Sequence, residues 1–287
     1  MLDNLMRILL PVLVLVLVPA CKDQGKIAAH HASEHVTALV TLATNDVGEV
    51  ERGLPQGAKQ LATLLYAKGA DPHQDVAGVR TALRRIRAEV PDLTVAKSTF
   101  FALADEGGVA IRNDLEQDAM AGQNVLTIFP DLKPVLDGTT FVTAVGLFPG
   151  PPGPHGPDRD WMAAAPVKND AGKVVGILLT GWTFRRFANH LQESLRHDMQ
   201  NALLKSGDTG KMPILYIAVF DKTGVYGAPQ TPPVNEKALA DADLEAKTAS
   251  GPSEGTVTIS DRDFGYAAAR VPKLGPDVGV AVLRSEI

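Results

Sequence analysis

His31-Ala-Ser-Glu-His35 places two imidazoles four residues apart with a carboxylate between them in the chain. On a helix both rings would share one face and could hold a metal ion, with Glu34 as a base. Metal-dependent hydrolysis also needs a third ligand and a cleft. The pattern lies about ten residues after Cys21 and ahead of any strand, so a solvated helix face is the preferred reading and a metal-dependent hydrolase the lesser alternative. Asp114, Glu116 and Asp118 resemble a calcium loop only loosely, since the glycine and the closing glutamate of such a loop are absent. Arg84-Arg85-Ile-Arg87 is basic, and reads as the solvated side of a helix. No nucleophile elbow, phosphate-binding loop or dinucleotide fingerprint is present. The expectation is therefore a protein with no catalytic residue, no metal and no cofactor.

The bulk numbers agree. A net charge of −5 and the lack of a basic patch among aromatics argue against a nucleic-acid surface. With 287 residues, 45% of them hydrophobic, the chain can bury a substantial core. Its one cysteine excludes an internal disulfide framework. That cysteine follows Arg7 and the apolar run Ile8–Ala20, which is too short to span a bilayer comfortably. Val18-Pro-Ala-Cys21 resembles the bacterial lipobox. The resemblance implies a signal peptide over 1–20, lipid attachment at Cys21 and a tether over 21–26. Two or three acyl chains would hold such a protein stably on a membrane. Lys22, not aspartate, follows the cysteine, which favours the outer membrane over the inner.

The positioning elements follow from periodicity. Val36, Leu39, Val40, Ala43, Val47 and Val50 form one helical stripe, resumed at Leu54, Ala58, Leu61 and Leu65. Gly53, Pro55 and Gly57 predict a kink or break between the two parts. A second helix is expected over 75–90, ended by Pro91. Residues 27–90 thus form an N-terminal helical region. Strands are expected at 99–104, 109–112 and 139–148, with a short helix at 130–136. A long hairpin then runs through Met162–Val167 and Val174–Thr180. A helix over 182–205 leads into a repeat of the order: a strand at 214–220, a short return at 225–226, a helix at 235–247, and three strands at 255–260, 264–271 and 278–283. Ala163-Ala-Ala-Pro-Val167 and Ala267-Ala-Ala-Arg-Val271 mark corresponding strands.

This order resembles the double-Cache family of extracellular sensors. Phe101-Ala-Leu-Ala-Asp-Glu-Gly-Gly108, Arg112-Asn113, Leu136-Asp-Gly138, the triple alanine and Gly172-Lys-Val-Val-Gly-Ile177 carry the resemblance. It implies an α+β fold: a long N-terminal helix followed by two PAS-like antiparallel-sheet subdomains. The first spans 91–181, a connecting helix 182–206, and the second 207–287. It also implies a small extracellular ligand, usually held in the membrane-distal subdomain, here the first. Arg159-Asp-Trp161 stands where the amino-acid-binding branch has an Arg-x-Trp whose arginine takes a carboxylate. Alternation along a strand would put Arg159 and Trp161 on one face, with the indole walling the pocket. Met162, and Thr180 or Gly181, replace that branch's second aromatic and its amine-binding aspartate. A simple carboxylate therefore fits better than an amino acid. The alternative is that Arg159 is a solvated loop residue and Trp161 is core.

The functional expectation is a lipid-anchored envelope protein that senses a small ligand. It would signal through a sensor kinase or chemoreceptor partner, since no membrane-spanning segment follows the last strand. The alternatives are a non-signalling binding lipoprotein or an envelope hydrolase.

Overall fold

The computed structural model describes residues 20–67, 71–149, 156–207 and 211–286, with side chains from 24 onward. Residues 1–19, expected to belong to a signal peptide, and the side chain of Cys21 lie outside the described residues. The chain opens on α1 (Ala20–Leu65), α2 (Val76–Glu89) and α3 (Pro91–Val95), then β1 (Phe100–Ala104), β2 (Ala110–Asn113), α4 (Val125–Ile128), a 3₁₀ helix (Pro130–Asp137), β3 (Val142–Gly146), β4 (Asp160–Lys168) and β5 (Val174–Thr183). After α5 (Phe184–Ser206) come β6 (Ile214–Asp221), β7 (Gly224–Gly227), α6 (Pro233–Asp241), α7 (Leu244–Lys247), β8 (Ser253–Ile259), β9 (Arg262–Arg270) and β10 (Gly279–Ser285). The strands form two separate antiparallel sheets of identical order, β2-β1-β5-β4-β3 and β7-β6-β10-β9-β8. The expected α+β architecture of two PAS-like units behind a long helix is present.

The triple alanines have a physical reason. In each sheet one face packs against α1 and the other against its own short helices. Trp161, Ala163, Ala165 and Leu178 of the first sheet share one core with Ala267, Ala269, Val280 and Val282 of the second. Val36, Leu39, Ala43, Val50, Leu54, Ala58 and Leu61 of α1 run through that core. The opposite faces carry Ala102, Met162, Ala164 and Leu179 under α4 and the 3₁₀ helix, and Phe220, Tyr266, Ala268 and Leu283 under α6 and α7. Short side chains in β4 and β9 let a helix lie directly on the sheet. At Gly265 a Cβ would collide with the backbone of Ala28 and Ala29. Helix α1 is thus a spine shared by both units.

Several local expectations are corrected. The residues expected to form a tether, from Lys22 to Lys26, continue α1. The interruption at Pro55 is absent, for α1 runs through it. Gly53 and Gly57 instead admit α3, since a Cβ at either would press on Leu93 (2.7 and 2.9 Å). Pro91 does not simply end α2; it occupies the first turn of α3, where a missing N–H costs nothing. Trp182 belongs to β5, and the connecting helix begins at Phe184 with Thr183 capping Arg186 N. The single helix expected at 235–247 is broken by Asp243 in the left-handed region (φ 54°). Among the described residues, no helix is long and apolar enough to cross a membrane.

Candidate functional site

Arg159 precedes β4, and its backbone is fixed from two sides. Phe184 N donates to its carbonyl (2.7 Å). Asp158 Oδ1 accepts from both Arg159 N (2.9 Å) and Arg185 N (3.3 Å). Because Arg159 stands outside the strand, alternation does not govern its side chain. The guanidinium crosses to the second unit, where Nε donates to Asp221 Oδ2 at 3.1 Å. The two side chains are 21% and 4% exposed. Asp221 closes β6, and its Oδ1 accepts from Thr223 N (2.7 Å) and from the Thr223 hydroxyl. Tyr226 OH lies 2.8 Å from that hydroxyl. Burial, foremost, pushes the Tyr226 phenol up, against the opposite pull of its bond to Thr223.

Arg159 and Asp221 line a cleft of about 210 Å³ between the two units. Its other walls are Thr143 and Val145 of β3, Asp131 of the 3₁₀ helix, and the β9–β10 turn with Gly275 and Asp277. Lys222 also reaches it, paired loosely with Asp277 at 4.0 Å. Among the described residues, Nη1 and Nη2 of Arg159 make no hydrogen bond. A guanidinium has five donors in a rigid fork; four of these remain for a ligand, in the geometry a carboxylate accepts.

Trp161 does not join this site. Its ring is fully buried and stacks on Trp182 (centroids 4.2 Å, planes 16° apart), which stacks on Phe187 at 4.7 Å. The expectation that the indole walls a pocket beside Arg159 is corrected: as an odd-numbered position of β4 it faces the α1 side, within the shared core. The opposite face of the first sheet is closed by apolar packing. Phe129 sits so close over Gly146 that a Cβ there would lie 2.6 Å from its ring, and Met120, Leu126 and Leu132 fill the remainder. Asp160, at the margin of that face, accepts from Phe148 N (2.9 Å). Burial, partly offset by this bond, pushes its carboxyl up to about 6.

The other polar clusters are committed elsewhere. His31 Nδ1 donates to Glu286 (2.9 Å), and His35 Nε2 accepts from Arg284 (2.6 Å). The two histidines therefore tie α1 to the end of β10, while the His31 side chain stays 39% exposed and that of Glu34 64% exposed. Asp114, Glu116 and Asp118 are answered by Arg87, by Arg80 and Arg84, and by Arg112. This removes the calcium reading, while Arg84, Arg85 and Arg87, with side chains 51%, 56% and 37% exposed, form the solvated helix face expected of the arginine run. Among the described residues, no group of three or more His, Cys, Asp or Glu is placed to hold a metal ion. A larger recess, about 450 Å³, is lined by Tyr66, Asp71, His73, Asp105 and Glu106 without a lysine or arginine, and does not suit a carboxylate. Asp221, Lys222, Asp131 and Asp277 carry no local signal in the sequence. They lie at a strand end, in turns and in a 3₁₀ helix, and only the meeting of the two units gathers them.

No family model matches the chain, and no curated protein matches it. Solved structures do match. The ligand-binding domain of the Campylobacter jejuni chemoreceptor Tlp3, in complex with L-norvaline, has a TM-score of 0.53 at 10% identity, covering 92% of each chain. The extracellular domain of a putative histidine kinase has a TM-score of 0.50 at 12% identity, covering 92% of this chain and 94% of that one. An extracellular ligand-binding receptor from Desulfohalobium retbaense has a TM-score of 0.49 at 14% identity, over 87% of this chain; the present chain spans 39% of its length. With one helix backing two sheets of PAS-like strand order, the chain has the double-Cache fold of the extracellular sensor domains of chemoreceptors and histidine kinases.

Proposed function

We propose that this protein is a non-catalytic sensor of the cell envelope, lipid-anchored through Cys21, that binds a small monocarboxylate at Arg159 and passes the signal to a kinase or chemoreceptor partner. The observation that carries the ligand reading is the mostly buried Arg159, which lines an open cleft and whose Nη donors make no hydrogen bond among the described residues. A second carboxylate on the ligand would meet Asp131 and Asp277 on the facing walls, so one acid group is the better fit. The fold supports sensing, because proteins of this architecture include receptor and kinase input domains. The lipid anchor rests on Val18-Pro-Ala-Cys21 alone.

The test is a thermal-shift screen of small monocarboxylates, followed by calorimetry with Arg159→Ala. Ligand at about a hundredfold over its Kd stabilises by about 2.7 kcal/mol. Loss of the charge-assisted bonds costs about 1.5–3 kcal/mol, or roughly 10- to 150-fold in Kd. Equal affinity in wild type and Arg159→Ala removes the cleft from consideration.

A further inference from the structure

We infer that Asp221 is a built-in competitor for the carboxylate site, so that ligand binding releases a latch between the two Cache units. This rests on the proposed role of Arg159 and goes beyond it by assigning how occupancy becomes movement. Three observations carry it. First, Arg159–Asp221 is, among the described residues, the one ion pair joining the first sheet unit to the second without passing through α1 or α5. Second, the pair is asymmetric. Asp221 uses Oδ2 for Arg159 and keeps Oδ1 on Thr223. When Oδ2 is displaced, the β6–β7 turn still holds the other oxygen, and the vacated one turns to the solvent of the cleft. Third, the bond to Arg159 uses only Nε. An incoming carboxylate can start on the free Nη edge and then take Nε as well, replacing one hydrogen bond by a two-bonded fork.

The exchange conserves charge in the cleft wall only while Asp221 stays. Once a ligand carboxylate faces the same guanidinium, two anions share one cation, and the Asp221 turn is repelled. The lever is short. Asp221 ends β6, which pairs directly with β10 through Phe220–Gly279, and β10 carries Arg284, the partner of His35 on α1. Release of the latch thus acts on the strand that contacts the N-terminal part of the spine. Apparent ligand affinity in such a device is lowered by the fraction of time the site is held shut.

The test uses the full chain in detergent with sodium propionate as probe. Asp221→Asn keeps the size of the side chain and an acceptor for Thr223 but removes the charge. Propionate should bind 5- to 50-fold more tightly to Asp221→Asn than to wild type, and not measurably to Arg159→Ala. A ligand-free arm uses spin labels on Lys173→Cys and Glu254→Cys, exposed on the first and second units, in a Cys21→Ser background. Both Asp221→Asn and Arg159→Ala should give the same altered distance distribution, matching wild type with propionate. Melting curves confirm that each variant is folded. If propionate binds wild type and is lost in Arg159→Ala, but Asp221→Asn changes neither affinity nor distance, the latch is overturned while the site stands. If propionate binding is absent or indifferent to Arg159, the site itself is overturned and the latch with it.

Discussion

Asp160→Asn should make the protein more stable at neutral pH, although it removes a hydrogen-bonded charge from the start of a central hairpin. The carboxyl has an ordinary value of 3.8 and is pushed up to about 6, first by burial and then by the nearby Asp158, against the opposing Phe148 N–H and Arg159. The folded form therefore holds the Asp160 proton more tightly than the unfolded form. Below 3.8 both states are protonated and the group is neutral in its effect. As pH rises from 3.8 to about 6 the unfolded chain ionises first, and stability is lost. Above about 6 the full penalty is in place. At about 1.4 kcal/mol for each unit of pKa, the penalty is about 3 kcal/mol; the remaining solvent contact of the carboxyl brings the expected gain to about 1–3 kcal/mol. Asparagine keeps an acceptor for Phe148 N, so the backbone contact survives. In a protein of this size the gain corresponds to roughly 3–8 °C in Tm. The assay is differential scanning fluorimetry of both proteins from pH 3.5 to 8. An unchanged Tm at pH 7.5 would refute the reasoning. So would a gain of equal size at pH 3.5, since no ionisation difference exists there.

Trp161→Ala should cost about 3–5 kcal/mol of stability, because the ring is fully buried in the shared core. A chemical-denaturation midpoint close to wild type would contradict its placement there. Burial, then the Arg284 cation, holds His35 below its ordinary 6.5. Stability should thus fall as pH drops beneath 6.5, and His35→Gln, which keeps an acceptor for Arg284, should flatten that slope in urea titrations at pH 5 and 7. Cys21→Ser should abolish palmitate labelling and release the protein from the membrane fraction; persistent labelling speaks against the anchor.

The sequence determined what depends on neighbours along the chain. Two apolar runs of strand length around a turn closing on Gly172 specified the long hairpin of β4 and β5, and the second triple alanine, in β9, announced a second unit. The apolar stripe from Val36 to Leu65 announced the helix behind them. These are local signals, because hydrogen-bonding geometry imposes its period on whatever must be buried. Only the tertiary structure decided the site. A guanidinium placed just outside a strand is free of alternation, and it takes its direction from a carboxylate 62 residues away. Trp161, two residues later, is held by the pleat and goes to the opposite destination, against α1. The glycines at 53 and 57 read locally as helix breakers. The close approach of Leu93, supplied from another helix, is what gives them their purpose. Local sequence fixes a period, and the partner across space decides what that period faces.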